Sequence, residues 1–257
     1  MSVEALPATH AQRLEAIASR LDEYRLRFDR AHDSRAVFTY AYAVMTRRIS
    51  AELPSAGLAD PEWIVALAER FSRRYFEALD AYDADALGSD AWRAVFDGIV
   101  GRRTSVLEDL VLAITAHIVH DLPLALRDTG LTAADGRSHI RDFHAVNDMM
   151  ASTVDTIQND VARRYSPVIR WLDHVGEGYD EILTNYGARM ARGLAWYNAE
   201  RLLDPASAAD AAAAIEHSPQ LVVAEVLKPP KWSLRILLRF ARWLTGFFRR
   251  WPAAPPA

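Results

Sequence analysis

Residues 104–123, TSVLEDLVLAITAHIVHDLP, are apolar over almost their whole length and end in His117, His120 and Asp121. So apolar a run forms a buried core helix, and side chains three and four apart on a helix share a face. The three polar groups therefore converge inside a core. A polar group in apolar surroundings is costly unless it is hydrogen-bonded, charge-paired or bound to a ligand. Whatever fold the chain adopts must supply partners to this one turn.

Glycine is scarce, at 11 of 257 residues, and apolar residues recur at spacings of three and four. That period selects helices over strands, and the expected fold class is all-α: one multi-helix, bundle-like domain with a basic amphipathic helix after it. A first helix runs from about His10, capped by Thr9, to about Asp29 with the stripe Leu14, Ile17, Leu21, Tyr24 and Phe28. A second spans about Ser34 to Leu53, where Pro54 ends it, and a third opens with Asp60 as cap and Pro61 in the first turn, carrying Trp63, Leu67, Phe71 and Phe76 inward. A short helix near Asp90–Ile99 precedes the central one, which starts at the capping box Ser105–Glu108 and is expected to stop at Pro123. One long helix is expected over about His139–Tyr165, with Asn147 the polar exception in its core stripe. Ser166 and Pro167 restart a short helix that Gly176 and Gly178 break. Another long helix follows, with Ile182, Tyr186, Met190, Leu194, Tyr197 and Arg201 in register, and the alanine-rich segment after Pro205 reads as a surface helix.

Pro229 and Pro230 divide the chain into a helical domain, 1–226, and a tail, 227–257. The net charge of −4 hides an asymmetry, because the seven basic residues from Lys228 onward meet no acidic residue there. The body is left with 23 basic against 34 acidic residues, a net −11. An acidic body repels nucleic acid, which is not expected as a partner. At 100° per residue Arg235, Arg239, Arg242, Arg249 and Arg250 fall within about 100° of arc, while Trp232, Leu237, Phe240, Trp243, Leu244, Phe247 and Trp251 fill much of the remainder. Residues 232–251 thus have the pattern of an interfacial anchor on an anionic membrane surface; packing on the same chain, on a second copy in a homo-oligomer, or on a calmodulin-like partner satisfies the same pattern. With no cysteine, and with a start that lacks the basic, apolar and small-residue order of a signal peptide, the expected location is cytoplasmic, with membrane association through the tail.

The residues with chemistry are few. His117 and Asp121 share their spacing with His144 and Asp148, so two helices each offer a His-x-x-x-Asp face, and two such faces can hold one divalent ion. Imidazole and carboxylate without thiolate suit zinc, iron or manganese. His32 offers a further ligand, His120 a proton shuttle and Arg127 a contact for an anionic group. Each has a structural alternative: Asp33 and Asp60 as helix caps, Asn147 as a register-fixing group, and the His/Asp set as a polar core network. His10, His174 and His217 are expected at the surface.

The stretches AHDSRAVFTYAYAVMTRRI, TSVLEDLVLAITAHIVHDLPLAL and RDFHAVND resemble a bacterial helical family of unknown function over most of residues 30–200, which implies a shared fold and no activity. HIVHDLPLAL is also similar, over about ten residues, to a motif of the helical zinc-dependent phospholipase C and single-strand nuclease superfamily; that resemblance implies His117, Asp121, His144 and Asp148 as zinc ligands. The chain departs from that pattern at Arg127, where the superfamily has a further His, and at its start, which has no amino-terminal Trp ligand, so one or two metals are implied and not three. The adjacent pair His120–Asp121 also resembles an HD-type phosphohydrolase, with His32 and Asp148 completing the set across an unusually long gap. The expectation is a metal-dependent hydrolase of a phosphoester or lipid-like substrate. The alternative is a non-catalytic helical protein that binds a hydrophobic ligand or partner, its His/Asp cluster structural.

Overall fold

The computed structural model describes residues 9–101, 104–151, 153–166 and 185–228, together with Arg239, Arg242, Trp243, Arg249 and Trp251. Among these residues the chain is all-α, with one isolated antiparallel bridge, Thr132 to Ser138, in the turn-rich segment after Gly130. α1 (His10–Ala31) begins at a capping box in which Thr9 accepts from the Gln12 amide while the Gln12 side chain accepts from that of Thr9. It ends at His32, in the left-handed conformation at φ 54°. α2 (Arg35–Glu52) folds back after this tight turn, and the two helices form the most extensive pairing among the described residues. α3 (Pro61–Asp83) starts as expected, with Asp60 accepting from the Trp63 amide and Pro61 in the first turn. α4 (Asp90–Val100) and α5 (Val106–Ala116) follow, each capped by a serine.

Beyond α5 the structure departs from the sequence expectation. Pro123 does not stop the helix; residues His117–Asp121 widen into one π-helical turn and the helix resumes as α6 (Leu122–Thr129). The long helix expected over His139–Tyr165 is two, α7 (Ile140–Ala151) and α8 (Val154–Tyr165), separated near Thr153. α9 (Asn185–Leu203) buries the face that the apolar stripe does not mark. Met190, Leu194 and Tyr197 are exposed, whereas Arg192, Ala195, Trp196, Asn198 and Ala199 point into the protein. Small residues there allow close approach to α6 and the π turn. α10 (Ala208–Leu227) is not merely a surface helix: Ala211, Ile215, Pro219, Val223 and Val226 pack it against α4. Residues 167–184, including Gly176, Gly178 and His174, and most of the tail lie outside the described residues.

One core runs through these helices, from Leu14 and Leu21 in α1 through Trp92, Phe96 and Leu112 to Phe143 and Tyr165. Burying each large apolar side chain contributes roughly 1.5–3 kcal/mol. Val106–Thr129 is long and apolar enough to cross a membrane by composition, but it is mostly buried, as the central helix of a soluble protein is.

The arginine stripe of the tail does not all face outward. Arg242 reaches Glu108 at 2.8 Å and the Val226 carbonyl at 2.7 Å, and Arg249 pairs with Asp109. Trp251 stacks on His32 and meets Tyr165 edge-on. Glu108 and Asp109 are buried in the first turn of α5, where their charge suits the helix dipole but needs a partner. Nothing in that apolar helix offers one. The tail does, and this use of Arg242 and Arg249 as internal counter-charges is the physical reason they leave the outward stripe. Burial pushes the Asp109 carboxyl up to about 6 against the opposing pull of Arg249 and Thr104. Arg249→Met is expected to cost on the order of 3 kcal/mol at neutral pH, read as a lower urea midpoint. Because the folded pKa of Asp109 lies above its usual 3.8, its ionised form burdens the fold above pH 6, and the burden lifts on acidification. Removing Arg249 raises the Asp109 pKa further, so the deficit of the variant should narrow as the pH falls toward about 6 and change little below it, where both proteins carry the protonated carboxyl.

Candidate functional site

Pro123 has no N–H to donate back along the helix, and its ring clashes with the carbonyl four residues earlier. A π turn immediately before it relieves the clash, and Leu122 donates to the His117 carbonyl to close the wider ring. The widened turn carries His117, His120 and Asp121 and packs against α3, α9 and α10.

Asp121 is the centre of the arrangement. One carboxylate oxygen accepts from His117 Nδ1 at 2.9 Å and the other from His120 Nδ1 at 2.8 Å, while Trp92 Nε1 from α4 donates to both at 3.0 and 3.1 Å. His120 Nε2 reaches Glu216 on α10 at 2.9 Å, and Glu216 in turn accepts from the Ser89 hydroxyl and the Ala91 amide at the start of α4. Burial alone would lower the His120 pKa, but its bonds to Asp121 and Glu216 outweigh that and push it up to about 9. Burial would raise Glu216, yet His120 and the Ala91 amide hold it down to about 2, and the two histidines likewise keep Asp121 below the usual carboxylate range. His120 is thus an imidazolium between two carboxylates.

His117 is different. Burial outweighs Asp121 and lowers its pKa, so the ring is neutral with its proton on Nδ1, the nitrogen that faces a carboxylate able only to accept. Phe71 lies flat against it, ring centroids 3.6 Å apart, and Phe38 and Tyr42 meet it edge-on. Nε2 is buried and has no hydrogen-bond partner.

His117 also forms part of the wall of a cavity of about 170 Å³ between α1, α2, α3, α5, α7 and α9. Ile17, Phe38, Tyr42, Leu67, Phe71 and Ile114 give it an apolar surface, and Arg192 enters it from α9. Arg192 is 5% exposed, its Nε donates to the Asn147 side-chain oxygen and its guanidinium lies over the Phe143 ring at 4.6 Å. Asn147, the polar residue in the core stripe of α7, is therefore accounted for. No acidic residue among those described pairs with Arg192. Burial pulls its pKa down to about 10, with only Tyr42 opposing.

The other residues marked in the sequence are not drawn into this cluster. His144 is within 3.4 Å of Asn147, and Asp148 is exposed and paired with Arg189 at 2.7 Å. His32 closes α1 and stacks on Trp251, and Arg127 is held by Asp128, its neighbour, at 2.7 Å. Of the five residues marked as metal ligands, only His117 and Asp121 touch each other, because the second His-x-x-x-Asp face turns its ends toward Asn147 and Arg189. Both Asp121 oxygens and both nitrogens of His120 are committed to protein partners, leaving the lone pair of His117 Nε2 the one uncommitted position of the cluster among the described residues. Among the described residues no group of three or more His, Asp or Glu side chains is arranged to hold a metal ion. Three partners escaped the sequence reading: Trp92, Glu216 and Arg192. Glu216 lies in an alanine-rich helix whose contacts run to residues far along the chain, and Arg192 sits beside the misleading apolar stripe of α9. A basic residue flanked by small residues on the opposite face was the signal available.

The family model that matches the chain, a family of unknown function (DUF5995), spans residues 14–229, and the chain belongs to that family. No curated protein and no solved structure matches it.

The His120 bridge makes a pH prediction. A histidine whose folded pKa, about 9, exceeds its usual 6.5 adds stability that is complete below 6.5 and is lost as the pH rises toward 9. Thermal melts should show that alkaline loss, on the order of 3 kcal/mol at most. Glu216→Gln, which removes one of its two carboxylate partners, should flatten it and reduce stability at pH 6.

Proposed function

We propose that this protein is a helical binding protein for a small hydrophobic ligand, which it encloses in the cavity between α2, α3, α5 and α9. The single observation that carries this reading is the cavity itself: about 170 Å³, partly open to the surface, with an almost wholly apolar wall set among buried core residues. Such space costs stability, about 24 cal/mol for each Å³ of void lined by apolar groups, unless something fills it. An engineered apolar cavity of about 150 Å³ takes benzene and stays free of water, so a pocket of this size and lining has room for a small apolar molecule.

In this reading the Asp121 cluster is structural, fixing the π turn and through it the floor of the cavity. Metal-dependent hydrolysis of a phosphoester or lipid-like substrate is the second proposal, favoured by His117 Nε2, a buried nitrogen lone pair on a residue of the cavity wall, without a hydrogen-bond partner among the described residues. It requires His120 and Asp121 to exchange their present hydrogen bonds for an ion, because a catalytic zinc takes three protein ligands. Near-stoichiometric zinc, iron or manganese in protein purified without a tag, lost in His117→Ala, would favour that proposal over binding alone.

The direct test of the binding reading is calorimetric titration of the full chain with n-decanol, paired with melting curves. Decanol at a hundredfold excess over its dissociation constant should stabilise the protein by about 2.7 kcal/mol. Ala41→Leu, which extends a wall residue into the space, should weaken decanol binding at least tenfold while the unliganded protein melts within a few degrees of the original. Equal affinity in the two proteins would place the ligand elsewhere.

A further inference from the structure

The apolar wall accounts for a hydrophobic occupant but not for Arg192. This side chain is 95% withdrawn from solvent, lies on the cavity wall and stacks over Phe143, and it has no carboxylate partner among the described residues. Every other described arginine buried to a like degree has one: Arg35 has Asp33 and Asp83, and Arg249 has Asp109. A buried cation without a counter-charge is among the costliest features a core can hold, and the Asn147 amide oxygen supplies only one neutral bond, to Nε. Among the described residues no hydrogen bond or ion pair engages the two terminal nitrogens of the guanidinium. They form the planar, two-pronged edge that matches a carboxylate.

Resting on the binding reading above, we propose that the ligand is a carboxylate amphiphile, a medium-chain fatty acid or an aryl-alkyl acid, whose head group pairs with Arg192 while its apolar body fills the cavity. The choice of carboxylate follows from charge balance. One guanidinium neutralises one negative charge, and a phosphate monoester near neutral pH would leave part of a second charge in apolar surroundings. Tyr42 stands on the same wall and keeps its proton because burial pushes its pKa well up, so its hydroxyl can donate to a carboxylate held there. Asn147 holds Arg192 by its inner nitrogen, so the fork is oriented before a ligand arrives, which reduces the entropy lost on binding. At the density of benzene in the engineered cavity, about 170 Å³ takes roughly seven non-hydrogen atoms, so the part of decanoate or phenylbutyrate nearest the head group fills the space and the rest extends through its open side.

The test compares three probes on the full chain by calorimetry: decanoate, its methyl ester and n-decanol. Decanoate is kept below the concentration at which it forms micelles. The intact protein should bind decanoate 10- to 100-fold more tightly than either neutral probe, the range expected for one charge-assisted pair. Arg192→Met keeps the length of the side chain and removes the charge; it should abolish the preference for decanoate and retain the affinity for decanol. Arg192→Lys should retain part of the preference, because it keeps charge but loses the fork. Equal affinity of the intact protein for acid and ester, or an undiminished preference in Arg192→Met, would overturn the head-group assignment and leave the cavity reading standing. Failure of all three probes to bind the intact protein would overturn the cavity reading itself. The comparison of acid with ester uses the unaltered chain, so it decides the question even if Arg192→Met does not fold.

Discussion

The fold depends on how one buried carboxylate is satisfied. Asp121 sits in the middle of the most apolar helix of the chain, and its four hydrogen bonds come from two elements: His117 and His120 in its own π turn, and Trp92 from α4. Through His120 the charge continues to Glu216 on α10, and through Glu216 back to the start of α4. The chain of bonds thus clamps α4, the π turn and α10 together. Removing one member would strand the others in a medium of low dielectric, where an unpaired charge costs several kcal/mol. The π turn is part of the same device, since it sets the directions in which the three polar side chains leave the helix.

A second buried pair is handled in the same manner from farther away. Glu108 and Asp109 begin the central helix, where negative charge favours the helix dipole, and their counter-charges arrive from Arg242 and Arg249, more than a hundred residues later. The tail is therefore tied to the body by charge at two points and by Trp251 packing on His32 and Tyr165. Arginine suits this role because its fork can serve a carboxylate and a backbone carbonyl together, as Arg242 does with Glu108 and Val226. A membrane surface or a second protein molecule competing for the tail would have to displace these bonds.

Much of the architecture was legible because local signals and the fold agree. Thr9, Asp60 and Ser105 cap helices, and the stripes of α1 and α3 face the core. The central helix was marked by its apolar composition and by the capping box Ser105–Glu108 at its start. What was not legible came from pairings distant in sequence. The stripe Met190, Leu194 and Tyr197 pointed to the wrong face of α9, because close packing against α6 favours the small residues and Trp196 on the other side. Pro123 marked a stop where tertiary contacts on both sides carry the helix through. The site was half legible: His117, His120 and Asp121 lie within five residues and announce one another, whereas Trp92 and Glu216 come from elements 29 and 95 residues away from Asp121 in the chain. The repeat of the His-x-x-x-Asp spacing at His144 and Asp148 shows that equal spacing places two side chains on one helix face without deciding which way that face turns.

The two kinds of polar residue in the core differ in a way that bears on function. Asp121, Asp109, Glu108 and Asp29 are all matched by cations or donors from several elements, so each is consistent with a core built for stability. Arg192 and the cavity beside it differ: no carboxylate among the described residues pairs with the one, and the other is walled almost wholly by apolar groups. Local violations of good packing and good pairing persist where function requires them and the surrounding structure bears the cost. Here both violations share one wall, between helices whose positions the Asp121 clamp fixes. A single amphiphilic acid would remove both at once, its tail restoring the missing packing and its head group the missing charge.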